Sequence, residues 1–181
     1  MIIGITGTLG AGKGTVVGYL VEKHSFKHFS VRDFLNKEVE RRGLPSNRDT
    51  LLAVANDLRA THGPGYISEA IMGKALRDGT NAVIESIRSI GEADYLRSHG
   101  AQLWAVDADI KIRYARILHR ASETDHISLE KFSADEQREY ANVDITKSNL
   151  SGVIALADVL LYNDGSKEEL FIKIEEALDA K

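Results

Sequence analysis

The sequence predicts an α/β domain in which a parallel five-stranded sheet is covered on both faces by helices. Short, nearly continuous apolar runs alternate along the chain with segments whose apolar residues recur at helical spacing. Nearly continuous apolar strands are typical of a parallel sheet that is buried on both faces. The 181 residues are enough for one domain with its own core, so we expect residues 1–181 to form a single domain.

Each predicted strand is followed by helical sequence. The strands, in chain order, are MIIGIT, FKHFS, NAVIES, AQLWAVDAD and ADVLLYN. The helices after the first, third, fourth and fifth strands are KGTVVGYLVEKH, IGEADYLRSHG, IKIRYARILHR and DGSKEELFIKIEEALDAK. Between the second and third strands, residues 31–77 contain three helical segments that each close near a glycine. This block is too long for a simple crossover, and we interpret it as a helical insert over the carboxyl edge of the sheet.

Composition narrows the classes of protein to consider. The net charge of −4 argues against an extended nucleic-acid interface, which normally carries a basic excess. Because the chain has no cysteine, disulfides, thiolate catalysis and cysteine-bound zinc are excluded. No apolar run reaches the ~18 residues of a membrane span, and no signal-peptide pattern opens the sequence. We therefore expect a cytoplasmic protein that binds small molecules, and neither nucleic acid nor a membrane.

A glycine-rich loop after the first strand is the most specific motif in the sequence. Residues 7–13 fit G-x-x-x-x-G-K and stand between a strand and a helix, as this motif requires. Glycines let several backbone N–H groups point at one phosphate chain, and the helix N-terminus adds partial positive charge. The alternative, a turn that serves only packing, does not explain the lysine. We predict that seven residues bind a phosphate chain: Leu9, Gly10, Ala11, Gly12, Lys13, Gly14 and Thr15.

The hydroxyl residue of this phosphate loop (residues 7–15) stands one place later than in the usual pattern, because Gly14 separates Lys13 from Thr15. In this respect GTLGAGKGT resembles the G-x-x-G-x-G-K-G-T loop of adenylate kinases and other nucleoside-monophosphate kinases. The resemblance extends over essentially the whole chain. It implies a P-loop NTPase three-layer fold with ATP and Mg²⁺ as cofactors, an acceptor-binding insert near residues 31–77 and a short lid near residues 121–140.

Two further segments resemble acceptor-binding motifs of these families. HFSVRDFLNKEV is similar to the segment that opens their monophosphate-binding helix, which implies acceptor-binding roles for Ser30 and Asp33. Dephospho-coenzyme A kinases carry an Asp at about this point, where it acts as the base toward a hydroxyl. VIESIRS resembles the end of their third strand, with Glu85 in the acid position, Ser86 in place of Gly, and Arg88 as the residue that holds the acceptor phosphate. ESIRSIGEADYLR and ANDLRATHG are also similar to segments of an archaeal group of kinase-like proteins.

The two arginines in these segments suit anion binding. Arg88, at the carboxyl end of a strand, can bind an acceptor phosphate through two parallel hydrogen bonds. Arg59 is a second candidate for the acceptor phosphate. Alternatively, it pairs with Asp57 or another acid on a solvated helix face.

Two acidic residues, Asp33 and Glu85, have more than one possible role or partner. Asp33 either accepts a proton or holds Mg²⁺, or it is an ordinary acid in the first turn of a helix. Glu85 ends an apolar strand and needs a partner, for which we expect Mg²⁺ or Lys13. Thr15 and Glu85 are therefore the candidate Mg²⁺ residues, with contacts that pass directly or through water.

A basic helix follows the fourth strand. IRYARILHR places Arg113, Arg116 and Arg120 along one helix face, which is either a solvated face or part of the donor site. The resemblance to adenylate kinases implies that Arg116 stacks on adenine and that Arg120, with Lys13, stabilises the transferred phosphoryl group. By the same resemblance Asn163 contacts the adenine side of the donor site, although NDGS alone predicts only a turn and a helix N-cap.

The predicted lid departs from the resemblance. The archaeal proteins place arginines where this chain has Ser122 and Ala134, and Arg138 is the nearest remaining cation. We therefore expect lid closure to use fewer charges. The six histidines show no metal-ligand spacing, and we interpret His24 and His28 as surface or packing residues.

Three functions are compatible with these motifs. The first is ATP- and Mg²⁺-dependent phosphorylation of a nucleoside or deoxynucleoside monophosphate, with catalytic roles for Lys13, Asp33, Arg88 and Arg120. The second is phosphorylation of a hydroxyl, as in dephospho-coenzyme A kinases. The third is an ATP-binding module that changes shape without transferring phosphate.

Overall fold

The sheet is parallel throughout and has the strand order β2-β3-β1-β4-β5. The computed structural model describes residues 1–120, 128–140, 142–144 and 146–180, without the side chains of residues 120, 135, 138 and 139. The strands are β1 (Ile2–Gly7), β2 (Lys27–Ser30), β3 (Ala82–Glu85), β4 (Gln102–Asp107) and β5 (Val159–Tyr162). The helices are α1 (Lys13–His24), α2 (Val31–Arg41), α3 (Arg48–His62), α4 (Tyr66–Asp78), α5 (Ile90–Ser98), α6 (Ile110–Arg120), α7 (Leu129–Tyr140), α8 (Leu150–Ala155) and α9 (Lys167–Asp179).

The strand order places a crevice between β1 and β4. The connection after β1 runs toward β2 on one side of the sheet, and the connection after β4 runs toward β5 on the other side. Ligands of open α/β sheets bind where neighbouring connections diverge in this way, outside the carboxyl ends of the strands. The phosphate loop leaves β1 at this point.

Two apolar cores lie on opposite faces of the sheet. One contains Ile84 and Leu103 and joins the sheet to α2–α5 and to Val153 of α8. The other contains Ile3 and Trp104 and joins the sheet to α1 and α9. Successive strand residues therefore face different cores, as the pleat requires.

The predicted insert forms three helices, α2, α3 and α4. Ser30 caps α2 by accepting a hydrogen bond from the amide of Asp33 at 3.1 Å, and Asn47 caps α3 by accepting one from the amide of Thr50 at 2.9 Å. Ile71 and Met72 of α4 are buried in the same core as β3 and α5. The insert therefore shares a core with the sheet and holds α2 and α3 beside the carboxyl edge.

The sequence pattern missed α8. It is only six residues long, and it packs on β1 and α5. Asn149 caps it, with a side-chain oxygen that accepts a hydrogen bond from the amide of Gly152 at 2.9 Å.

The described part of the segment predicted to form a lid is the helix α7, which we call the lid helix. Phe132 of α7 is fully buried, with its ring 5.7 Å from that of Tyr114 in α6. Ala134 lies exposed on α7, while the prediction about Ser122 falls outside the described residues. Among the described helices, none has the length and apolar character needed to cross a bilayer.

Candidate active-site cleft

A cleft of about 1690 Å³ lies along the carboxyl edge of the sheet. The phosphate loop and residues of α6 and the β5–α9 turn line one part of it. The ends of β2 and β3, with α2 and α3, line another part. We call these the donor end and the acceptor end. The fold therefore brings the predicted phosphate site and most of the predicted acceptor residues into one cavity.

The phosphate loop depends on glycine where the backbone approaches α6. Gly10 has a φ of 80°, and a Cβ atom there would lie 2.6 Å from the carbonyl oxygen of Arg113. A side chain at this position would be strained by its own conformation and would also collide with the helix backbone. Glycine at this position therefore lets the phosphate loop pack directly against α6.

Lys13 lies across the phosphate loop. Its Nζ atom donates hydrogen bonds to the carbonyl oxygens of Gly7 at 2.9 Å and Thr8 at 2.8 Å. Lys13 and Thr15 both line the cleft, next to the N-terminus of α1. The ammonium, the helix N-terminus and the Thr15 hydroxyl therefore lie together at the place where a phosphate chain would enter.

Side chains from distant elements hold the phosphate loop in place. The Thr8 hydroxyl donates to Asp107 at the end of β4 at 2.5 Å. The Asn163 amide donates to the Ala11 carbonyl oxygen at 2.8 Å from the end of β5. Asn163 lines the cleft, as predicted for a donor-site residue, and its observed contact shows that it also positions the loop.

The guanidinium of Arg113 is bound by other groups of the protein. Arg113 is buried, and its guanidinium donates to the carbonyl oxygens of Ala108 at 2.8 Å and Leu9 at 3.2 Å. The same group makes two contacts with the Glu136 carboxylate of α7, at 2.5 and 3.1 Å. Arg113 therefore joins the phosphate loop to the lid helix.

Arg116 is placed differently on the same helix. It lines the donor end of the cleft, and its buried Nη1 atom makes no hydrogen bond among the described residues. A buried guanidinium nitrogen without a partner is costly unless an acceptor is bound. The side chain of Arg120, predicted to approach the same phosphates, lies outside the described part of the chain.

Four arginines converge on the acceptor end of the cleft. Arg32, Arg48, Arg59 and Arg88, which we call the arginine cluster, all line it. The pKa of Arg88 is lowered to about 10, because burial disfavours its charged form and the positive charges of Arg48, Arg59 and Arg32 act on it. Like charges held this closely favour binding of an anion between them.

Glu92 is the buried counter-charge of the arginine cluster. It contacts the Arg59 guanidinium at 3.1 and 3.2 Å, and both side chains are almost fully buried. Its other oxygen accepts hydrogen bonds from the amides of Arg88 and Ser89 at 3.2 Å. The suggested pair of Arg59 with Asp57 does not form, because Asp57 pairs with Arg42 at 2.6 Å. Arg59 is a buried cleft residue rather than part of a solvated face.

Glu85 has a partner that the sequence did not suggest. His28, which is exposed at the surface as predicted, lies 3.1 Å from its carboxylate. This hydrogen bond lowers the pKa of Glu85, with smaller contributions from the charges of His28, Lys13 and Arg88. Glu85 still lines the cleft, within the electrostatic reach of Lys13.

Ser30 and Asp33 differ in their access to the cleft. Ser30 lines both the cleft and a smaller neighbouring pocket of about 250 Å³, whereas the exposed Asp33 lines only the smaller pocket, with Lys37 and Lys74. The Ser30 hydroxyl accepts a hydrogen bond from the Asp33 amide, which links the two residues through the cap of α2.

Sequence reasoning missed Arg32, Arg48, Lys131 and Ser148, which also line the cleft. A signal existed for two of them. Arg32 and Arg48 stand in the first turns of α2 and α3, where the helix dipole favours acids over cations. Cations placed against that preference are a sequence signal that favours an anion-binding role for both residues.

A family model described as an AAA domain matches residues 3–142. The chain belongs to this family. The match contains the phosphate loop, the arginine cluster and α6, whereas the cleft residues Ser148 and Asn163 lie beyond it. A UPF0200 protein of Thermococcus gammatolerans is 30% identical over 99% of this chain and 94% of its own length. The predicted relationship to P-loop kinase-like proteins and to an archaeal group is confirmed.

Solved structures share the fold. TT1252 from Thermus thermophilus is 25% identical with a TM-score of 0.59, and covers 99% of this chain and 95% of its own. A gluconokinase from Sinorhizobium meliloti has a TM-score of 0.59 at 16% identity, over 98% and 90% of the two chains. A shikimate kinase from Acinetobacter baumannii, solved with shikimate, has a TM-score of 0.57 at 12% identity, over 99% and 93%. These likenesses confirm the predicted fold class.

Proposed function

We propose that this P-loop kinase-like protein transfers the γ-phosphoryl group of ATP to a nucleoside or deoxynucleoside monophosphate. The observation that carries the proposal is one cleft with a phosphate loop at its donor end and four arginines at its acceptor end. In the reaction the bond from the bridging oxygen to the γ-phosphorus breaks, and an oxygen of the acceptor phosphate forms the new bond. The products are ADP and a nucleoside diphosphate.

The donor end supplies the charges that such a transfer needs. Backbone N–H groups of the phosphate loop and the ammonium of Lys13 hold the β- and γ-phosphates, and Arg116 offers its free Nη1 atom. Arg120 is one turn further along α6, and we assign it to the moving phosphoryl group. Catalysis of phosphoryl transfer is mainly positioning and charge stabilisation, so no covalent intermediate is required.

The acceptor end suits a phosphorylated molecule with an apolar part. The arginine cluster provides the phosphate site, and the acceptor wall beside it is apolar. The wall residues are Val31, Leu35, Leu51, Leu52 and Ala55. Cations beside an apolar wall match a phosphate attached to a nucleobase through a sugar.

Mg²⁺ fits the residues present at the junction of the two ends. Thr15 and Glu85 would hold it, and no group of three or more acidic or histidine side chains among the described residues is placed for a metal. Few protein ligands are expected for Mg²⁺, which commonly takes one or two carboxylates, substrate phosphates and water. When bound, it neutralises charge on the phosphates.

Hydroxyl phosphorylation is the second candidate, because the similar folds include a gluconokinase and a shikimate kinase. It requires a base near the accepting hydroxyl. Asp33, the residue proposed for that task, does not line the cleft, which favours the monophosphate acceptor.

A product assay tests the proposal. Purified protein receives ATP, Mg²⁺ and, separately, each nucleoside and deoxynucleoside monophosphate, dephospho-coenzyme A, gluconate and shikimate, with products identified by mass. We expect a diphosphate from at least one monophosphate. Transfer only to a hydroxyl acceptor would support the second candidate. ATP binding without transfer to any acceptor would contradict both kinase functions and would support the third function, an ATP-binding module that transfers no phosphate.

The same assay tests the role of Lys13. Lys13→Ala should lower the transfer rate on the order of 100-fold or more, because a preorganised charge beside the moving phosphoryl is lost. Lys23→Ala, an exposed position at the other end of α1, is the matched control and should retain the wild-type rate. Full activity in Lys13→Ala would show that the phosphate loop is wrongly assigned.

A further inference from the structure

Ser148 has a buried hydroxyl that the proposed reaction does not yet use. It lies in the segment between α7 and α8 and is 2% exposed. Its Oγ atom has no hydrogen-bond partner among the described residues, although the residue lines the cleft. Buried hydroxyls in proteins almost always have a partner, so an unpartnered one at a cavity wall indicates a ligand group.

The backbone around Ser148 is firmly held. The Asn142 amide donates to the Ser148 carbonyl oxygen at 2.9 Å, and the Asn149 side chain donates to the Asn142 carbonyl oxygen at 2.7 Å. The Asn149 backbone amide donates to the carbonyl oxygen of Arg88 at 2.8 Å. This last bond ties the residue after Ser148 to a member of the arginine cluster, so Ser148 is fixed at the acceptor end of the cleft.

We propose that the Ser148 hydroxyl donates a hydrogen bond to an oxygen of the anionic group that the arginine cluster binds. The cluster supplies charge, and the hydroxyl supplies a short neutral donor at a fixed position beside Arg88. If the proposed function holds, this anion is the phosphate of the acceptor, and Ser148 is an acceptor-binding residue. The binding of an anion at this place stands on the geometry of the cluster and does not require phosphate transfer.

The chain offers a matched control for this role. Ser68, on α4, is fully buried and its Oγ atom also has no partner among the described residues, but it is not among the residues that line the cleft. Ser68→Ala removes the same group from the same kind of environment. Only the Ser148 substitution should affect ligand binding.

Calorimetric titration with inorganic phosphate provides the test. Phosphate binding that disappears in Arg88→Ala is assigned to the arginine cluster, and binding that remains is assigned to the phosphate loop. We expect Ser148→Ala to weaken the phosphate affinity of the arginine cluster by about 10-fold, the effect of one hydrogen bond to a charged group. Ser148→Cys, which keeps the size but donates weakly, should lose most of the same affinity, while Ser68→Ala should keep it.

A thermal melt without ligand distinguishes binding from a structural role. Because the hydroxyl is unpartnered, Ser148→Ala should melt at the wild-type temperature or above. Unchanged phosphate affinity in Ser148→Ala, or equal losses in Ser148→Ala and Ser68→Ala, would overturn the inference. Loss of phosphate affinity in a protein that transfers no phosphate would support the inference and refute only the proposed function.

Discussion

At the scale of single residues, Ser86 shows how the site departs from its resemblance. The resemblance predicts a glycine at this position, and the φ of Ser86, 76°, lies in the left-handed region that favours glycine. Its amide donates to the carbonyl oxygen of Ile5 at 2.9 Å, which fixes the end of β3 against β1. The turn that leads to Arg88 therefore has the left-handed backbone conformation that glycine adopts most easily, although serine occupies the position.

Substitution of Ser86 tests this strain. Ser86→Gly should be as stable as the wild type or more stable by up to about 1 kcal/mol, since relief of the left-handed strain slightly exceeds the added chain entropy. Ser86→Val should lose about 1–2 kcal/mol, because a β-branched side chain fits this conformation worst. Urea denaturation measures both values. A Gly variant less stable than the Val variant would contradict the argument.

The pair of Glu85 and His28 predicts a pH dependence of stability. The hydrogen bond raises the pKa of His28 and lowers that of Glu85, whose ordinary values are 6.5 and 4.5. The contribution of His28 is complete below its unfolded pKa and is lost as pH rises through its folded pKa. That of Glu85 is complete above its unfolded pKa and is lost as pH falls through its folded pKa.

The stability difference between the wild type and His28→Gln should therefore be largest between about pH 4.5 and 6.5, and should fall on both sides. It should remain small, since the histidine is partly exposed and such pairs contribute at most about 1 kcal/mol. Denaturation of both proteins across this range gives the curve. A difference that grows above pH 8 would rule out the pair as its source.

At the scale of elements, α6 links the lid helix to the phosphate loop. Arg113 binds the Leu9 carbonyl oxygen on one side and Glu136 of α7 on the other, and Phe132 lies 5.6 Å from the same guanidinium. A shift of α7 must therefore disturb the group that holds the loop. The segment predicted to form a lid therefore has a buried ionic contact with the helix that holds the phosphate loop.

Glu136→Gln should test this link. We expect a loss of stability of about 1–3 kcal/mol, because the buried Arg113 loses its closer counter-charge and keeps only the Asp107 carboxylate at 3.8 Å. ATP affinity should fall as well, since the Leu9 carbonyl oxygen is held less firmly. Glu130→Gln, an exposed acid in the first turn of the same helix, is the control. It loses only its contact with the Ser128 hydroxyl and the charge at the helix N-terminus, so it should leave ATP affinity unchanged. Unchanged ATP binding in a destabilised Glu136→Gln protein would limit Arg113 to a packing role.

At the scale of the whole molecule, local sequence patterns predicted the strands and the long helices. They could not predict which elements lie next to one another in the folded protein. Alternation of strands and helices indicates a parallel sheet, yet several strand orders satisfy it, and β2-β3-β1-β4-β5 was not predicted. The six residues of α8 are too few for a periodic signal. The partners of Arg59 and Glu85 come from other elements, Glu92 33 residues and His28 57 residues away in sequence. Such pairs follow from tertiary packing.

Because of the arginine cluster, the stability of the folded protein should depend on which anions the buffer contains. Repulsion among these side chains opposes the folded state, and an anion bound between them relieves it. A ligand that binds only the folded protein stabilises it, by about 2.7 kcal/mol at a concentration of 100 times its Kd. The melting temperature should accordingly be higher in phosphate than in chloride buffer at equal ionic strength, and Arg88→Ala should reduce the difference to the part that binding at the phosphate loop contributes. The choice of buffer anion would then shift the folding equilibrium of this protein.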